Sequence, residues 1–456
     1  MTNDQMIQAL DHATADIAAV RAQLAGAPPP SAIIDVTPGQ SVQAVLDAAP
    51  AEAILRFAAG VYDGALTIRQ SVHLIAAHPP PDGQATRVCP VMFTSRAEQT
   101  LLVQHDAVDV LCQGIGVTQQ NPDYELCLVQ GRAVRFDRCT FLGDPVHGAR
   151  RGWRVEGRDV TIVQCYADDI FRPGRDTCVI GSWQDTDGLL VDRCYLCGGA
   201  ETIMFGGADA PSADRIPQHI TITGCTLTKN PAWYAQGAQL KTPFELKCAA
   251  HVIMRDCVLE YAGVSEGQGA YLLVLTVRNQ DGTAPWSRIE DVLIERCRCS
   301  QGGGGVNILG HDDQYPSGTL TNVTIRNVAF TEMNPSGLWS LGGHYGSGRC
   351  AMFHNSPHHV TLEAITMEGI NMAALGYFAN TPQQPVGLML RNWKYGATEY
   401  GWKIDGGGMD VPPAHAQISA LMPDLTYAVT AHDAGAVGYP PVNAARFVRG
   451  PTRATD

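Results

Sequence analysis

The chain has 456 residues, with 45 acidic side chains against 32 basic ones, a formal net charge of −13. That balance, with no basic stripe to offset it, argues against a nucleic-acid partner. No apolar run approaches the roughly 20 residues that span a bilayer, so no membrane partner is expected. Forty-seven Gly and 28 Pro suit a chain of short strands and many turns.

In chain order, residues 3–25 read as one helix. Met6, Leu10, Ala13, Ile17, Val20 and Leu24 recur at spacings of 4, 3, 4, 3 and 4, a heptad seam. The Pro-rich stretch after it, ending at residue 30, reads as a stiff spacer. A seam this short is marginal alone. Over 1–30 it predicts either an amphipathic helix packed on its own chain or, as the Pro spacer favours, a self-associating segment: a homotrimer that attaches through this helix to other virion or tail proteins. The opening residues lack a basic n-region and an apolar h-region, so no signal peptide is expected. The expected location is a virion or assembled particle made in the cytoplasm, with an extracellular location as the alternative.

Over 31–70 the pattern predicts a strand at Ile33–Val36, then a turn and a short helix. Val42, Val45, Leu46 and Ala49 would share that helix's apolar face. Strands at Ala53–Phe57 and Leu66–Ile68 follow. The run IDVTPGQSVQAVLDAAPAEAILRFAAGVYDGALTIRQSVHLIAA resembles the opening cap and first coil of pectin-lyase-like, right-handed parallel β-helix proteins. The resemblance implies that the helix plugs the open end of a solenoid.

Residues 71–395 carry a repeat: an aliphatic residue, a variable one, an apolar one, two mostly polar ones, then Cys. It is read at Val134, Val160, Leu189, Ile220, Val252 and Val292, closing on Cys139, Cys165, Cys194, Cys225, Cys257 and Cys297. Relaxed copies start at Val108, Val323, Val360 and Leu388. The starts lie 26, 26, 29, 31, 32, 40, 31, 37 and 28 residues apart, a spacing that marks solenoids. Period-2 alternation inside each copy makes the unit a strand with one buried face. The expected fold is all-β: a right-handed parallel β-helix of three-sided coils, about ten or more, N-capped by a helix.

Six of the 14 Cys occupy one repeat position. Stacked side chains pointing one way are poorly placed for a disulfide, so they are expected to be buried free thiols that fill space. Cys194 with Cys197, and Cys297 with Cys299, fall in different coils, and no metal is expected there. GAETIMFGGAD, KTPFELKCAAHVIMRDCVLE, VLTVRNQDGTAPWSRIEDVLIERC and GGGGVNILGHDD resemble bacterial and phage β-helix proteins of the tail-spike kind. That set often has Asn where Cys225, Cys257 and Cys297 stand. The exchange implies compact packing in place of side-chain hydrogen bonding. Beyond Trp393 the ladder fades, and 396–456 reads as a loop-rich cap and tail.

Alternation on the strand before each Cys-ending copy places Arg154, Glu156, Glu201, Glu245, Lys247, Thr276, Arg278, Asn307 and His354 on one outer face. Insertions at 206–217, 229–240, 279–287 and 311–317 flank it, with aromatic loop residues Trp183, Trp233, Tyr234, Trp286, Trp339 and Tyr345. Such a face suits a polysaccharide or cell-surface glycan. Glu201 and Glu245 are the candidate acid–base pair, since carboxylates roughly 5–9 Å apart act on glycosidic bonds. Lys247, Arg278, Asn307, His354, Trp233, Trp286 and Asp312 are the candidate sugar contacts. A lyase using Ca²⁺ would want clustered acids. Asp168-Asp169 and His311-Asp312-Asp313 are the short clusters present, and each reads more readily as a solvated loop. Three roles follow: a spike that binds surface polysaccharide, a lyase or glycoside hydrolase working in the groove, or a purely structural assembly protein.

Overall fold

The computed structural model describes residues 32–428, apart from residue 84 and segments 266–267, 334–345, 378–384, 396–398, 405–406 and 410–425. The heptad helix, the spacer, Trp339, Tyr345 and the tail lie outside the described residues.

Each coil contributes three strands, as at Arg132–Asp137, Thr140–Leu142 and Arg151–Val155. The first two join a 24-stranded sheet and the third a 13-stranded one. Strands pair in parallel with the next coil, residue for residue, as in Val134↔Val160 and Trp153↔Ile180. Among the ladders of the described residues the exception is an antiparallel hairpin, Tyr400–Ile404 with Gly407–Met409. Inward residues such as Phe136, Ile162, Val191, Ile222, Met254 and Ile294 form one continuous core along the tube. The helix Val42–Ala48 is capped by the Ser41 hydroxyl, which accepts from the Ala44 amide. Val42, Leu46 and Ala49 are buried and Val45 packs beside them, the expected face.

One copy is displaced from its expected position. Val134 pairs with Val110, not Val108, so the repeat there starts two residues later. A two-residue slip leaves every side chain on its original face, and alternation alone cannot detect it.

The repeat's Cys lies just past the strand, at a corner. The residue before it is left-handed in each case: Arg138, Gln164, Arg193, Asp256 and Arg296 have φ of 51–55°, and Gly224 has φ of 62°. For L-residues that conformation costs roughly 1–2 kcal/mol. The corner offsets this by keeping the ladder intact, since the Gln164 and Arg193 amides donate to Asp192 and Thr223 of the next coil at 2.9 Å.

The thiols then do more than fill space. The amides of Cys139, Cys165 and Cys194 donate to the Sγ of Cys165, Cys194 and Cys225, each at 3.4 Å. Those sulfurs donate in turn to carbonyls two residues back, as Cys225 does to Thr223 at 3.3 Å. The expectation of packing without side-chain hydrogen bonds is corrected: a thiol both accepts and donates, and it fits where a larger amide could do the same. All 14 Cys are free, 13 of them buried, and burial raises the ladder thiols well above their usual range. Thiolate is the reactive form. Native protein should therefore react slowly with a thiol reagent at every position, and all 14 should react after unfolding. Several fast-reacting thiols in the folded state would contradict this packing.

Candidate functional site

The 13-stranded sheet presents its outer face as columns. Met204, Glu245, Val274, Asn307 and Met352 follow one another coil by coil. In the neighbouring column Thr276, Leu309 and His354 are in register. Adjacent coils lie roughly 4.8 Å apart, close to the span of a sugar unit in a chain.

A cavity of about 540 Å³ opens on these columns. Glu245, Lys247, Arg278, Asn307, Arg349 and His354 line it, with Tyr271, Val274 and Met352 among its apolar walls. Glu245 is only 1% exposed, and its Oε2 has no hydrogen-bond partner. Its other oxygen lies 3.8 Å from Lys247 Nζ. Asn307 Oδ1 and Arg349 Nε are likewise buried without a partner, while Arg349 Nη1 donates to the Ser347 carbonyl at 3.1 Å. Arg278 pairs with Asp313 at the rim. Burial pushes the His354 imidazole down to about 4, and Arg278 and Arg349 push the same way. It is therefore neutral near pH 7. A cavity holding three cations, a neutral imidazole and unsatisfied polar atoms is arranged for an anionic, hydroxyl-rich ligand.

No family model matches the sequence, and no curated protein does. Solved structures do. The catalytic domain of a GH87 α-1,3-glucanase in complex with nigerose aligns with a TM-score of 0.56 and 10% identity, over 88% of this chain and 69% of that one. A mannuronic acid specific polysaccharide family 6 lyase from human gut microbiota aligns with a TM-score of 0.50 and 11% identity, over 91% and 90%. A pectate lyase aligns at 0.38 and 12%, over 79% and 80%. Such identities speak to the fold alone. The fold is a parallel β-helix.

On this β-helix the expected site residues separate. Glu245, Lys247, Arg278, Asn307 and His354 come together in the cavity. Glu201 does not line it. The carboxylate is 0% exposed and lies beside Lys241, with Nζ–Oε1 at 3.4 Å. It cannot touch a sugar there, so the pairing of Glu201 with Glu245 as two direct catalysts is corrected. Burial drives Glu201 well above its usual range, and the Glu245 and Asp176 carboxylates push the same way.

Trp233 is corrected too. It is 2% exposed and stacks on Phe171 at 4.6 Å between ring centroids, because the short 3₁₀ turn Pro231–Gln236 folds the indole inward. Trp286 packs on Ala210, Ile216, Cys248 and Ala250 and donates to the Ala210 carbonyl, away from the cavity lining. Asp312 accepts from the amides of Asn279, Gln314 and Tyr315 and so pins its own loop.

The short acid clusters are similarly engaged. Asp168 and Asp169 both bind Arg87. Among the described residues no group of three or more His, Cys, Asp or Glu is placed to hold a metal ion. Farther down the same face Arg154 pairs with Glu156 and Arg151 with Glu125, and both guanidiniums lie over Trp183. Arg349, Tyr271, Lys241 and Asp176 were missed by sequence reasoning. Tyr271 and Arg349 open their strands, where the period-2 rule gives no reliable direction. Lys241 and Asp176 lie in loops.

Proposed function

We propose that this β-helix protein is an enzyme of acidic polysaccharides that cleaves the chain by β-elimination in the cavity at Glu245. The observation that carries the reading is the convergence of Lys247, Arg278 and Arg349 with a neutral His354 on one concave site of an otherwise acidic protein. Arginine is suited to a sugar carboxylate through paired charge-assisted hydrogen bonds. Neutralising that carboxylate acidifies the proton on the carbon beside it. His354, held unprotonated, takes the proton; the electron pair forms the new C=C bond as the glycosidic C–O bond breaks. Lys247, held by Glu245, gives a proton to the leaving oxygen. Each step balances without an oxidant.

The glucanase and lyase named above are polysaccharide-acting β-helix structures, which supports an enzyme over a spike that only binds. A panel of acidic and neutral polysaccharides, assayed for unsaturated ends and for new reducing ends, tests it. Unsaturated product from an acidic member is expected. New reducing ends without unsaturation would replace elimination by hydrolysis, and no product from any member would remove the activity.

Assembly as a homotrimer through residues 1–30, attached to a particle, is a separate part of the proposal and rests on the heptad seam alone. The intact chain is expected to have a solution mass of three chains, and a form lacking those residues the mass of one. A monomeric intact chain would remove the trimer.

A further inference from the structure

Three coils before the cavity, on the same outer face, the chain builds a second cationic surface that the proposed chemistry leaves unused. The column that passes through Glu245 runs back through Met204 and Gly181 to Arg154, residue paired with residue. Three coil spacings make roughly 14 Å. Met204 is 5% exposed, no more covered than Val274 at 5% and Met352 at 4%, both of which line the cavity. Side chains of this kind form the floor of the face in both places.

At Gly181 the missing side chain has a use. A Cβ there would come within 3.1 Å of Trp183 Cη2 and 2.7 Å of Cys178 Sγ, so glycine is what lets the indole lie across the strand. The guanidiniums of Arg151 and Arg154 stand over that ring, 4.6 and 5.4 Å from its centroid. Each is also held by an acid: Arg151 donates to Glu125 at 2.7 Å and Arg154 to Glu156 at 2.8 Å. Glu125 is 6% exposed, and its Oε2 is buried without a hydrogen-bond partner. The nearby Asp123 is taken by Arg172 and Arg175. Arg150 is left, among the described residues, with no ion-pair partner, and its Nε is buried without a hydrogen-bond partner. Burial and the adjacent Arg151 charge push its ionisation below the ordinary arginine value, a cost that an incoming anion would relieve. In a chain of net charge −13, this is a local excess of cations around one aromatic ring.

We infer that Trp183 with Arg150, Arg151 and Arg154 is a second binding site, for an acidic sugar unit of the same glycan chain that fills the cavity. The indole supplies an apolar surface for a sugar ring, and Arg150 an unshared guanidinium for its carboxylate. Arg151 and Arg154, fixed by their acids, hold the indole in place. At about one coil spacing per sugar unit, a chain reaches from one site to the other in about four units. Shorter chains occupy the cavity alone. Binding at both sites through one chain makes the second event intramolecular, so affinity steps up at that length. The ligand's charge rests on the function proposed above; the step with length belongs to this site alone.

Calorimetric titration of acidic oligosaccharides of about three and about eight units into the full protein tests it, the first too short to span the two sites and the second long enough. The longer ligand is expected to bind roughly tenfold more tightly than the shorter, or better. Arg150→Ala and Trp183→Ala should each remove most of that gain, whereas Arg349→Ala, in the cavity, should weaken both lengths alike. Arg150→Ala removes only an unpaired side chain, and it carries the test if Trp183→Ala fails to fold. Equal affinity of the wild type for both lengths, or a gain that survives both substitutions, would overturn the site. A gain that needs Arg150 and Trp183 but ignores Arg349 keeps this site and loses the reading of the cavity. Binding at neither length overturns both.

Discussion

Replacing His354 by Ala is expected to lower kcat by ~10²–10⁴-fold, the usual worth of a positioned acid or base, and Glu245→Gln, which removes the partner that holds the proton donor Lys247, should lower kcat as well. KM should change little, because neither residue is the main anchor for the glycan's charge. The two losses differ in their pH signature. His354 is held at about 4 by burial and by Arg278 and Arg349. Above that pH it is neutral and able to accept a proton; as pH falls through it, the imidazole charges and turnover drops. The acid limb of kcat/KM for the free enzyme should thus lie near 4 and vanish from the residual activity of His354→Ala. A limb near 6.5, the ordinary imidazole value, would mean that His354 is not the base. Glu245→Gln should leave the acid limb in place, since it removes the partner of Lys247 and not the base. Its effect should also be far from additive with Lys247→Ala, because the two side chains face each other in one ion pair.

The second large effect is on stability. Trp153 is fully buried, opens the core to neither solvent nor loop, and lies against Phe141 and Phe136, with ring centroids at 3.7 and 6.1 Å. Trp153→Ala should destabilise by about 3–5 kcal/mol, the cost of emptying an aromatic site in a tightly packed interior. Part of the void cannot close, because the Trp153 strand is paired on both sides, to Cys127 and to Ile180. Trp153→Phe should cost much less. The indole Nε1 is buried without a partner, so its removal relieves an unmet donor while most of the ring volume is kept. Chemical denaturation of the two variants checks the order, and equal losses would contradict it. In a stacked solenoid the transition also need not be two-state, because each coil contacts mainly its neighbours.

Much of the fold was legible because one physical constraint repeats. The strands expected at Ile33–Val36, Ala53–Phe57 and Leu66–Ile68, for instance, are found with those bounds. Burial of alternate residues announces itself at each turn of the tube. The outward directions of Glu245, Asn307 and His354 followed from the same rule. Alternation failed where strands begin. At Glu201 the rule was misapplied: it shares its parity with Ile203 and Phe205, which point into the core, so alternation puts it inward and not on the outer face. Its carboxylate instead meets Lys241, because the chain is still rounding a corner there. Nor could period 2 show that an outward position is covered. The segment carrying Lys229, Trp233 and Lys241 folds back over Glu201 and Phe171, and nothing local in its composition says so. Trp233 looked like a groove aromatic for the same reason. Arg349 was hidden by the strand boundary, two residues before the apolar pair Ala351 and Phe353 that marks the strand.

The central claim is that the cavity at Glu245 holds an anionic glycan through its cations. Calorimetric titration of a defined acidic oligosaccharide into wild type, Arg349→Ala and the Arg278→Ala/Arg349→Ala pair tests it most directly, with a neutral oligosaccharide of equal length as the control. Hydrogen bonds to charged groups contribute about 1.5–3 kcal/mol each, and tenfold in Kd is about 1.4 kcal/mol. Arg349→Ala should therefore weaken the acidic ligand by roughly 10–100-fold and the double variant further, while the neutral ligand binds weakly to all three proteins. Equal affinity for acidic and neutral ligands, or an affinity untouched by either substitution, would contradict the account.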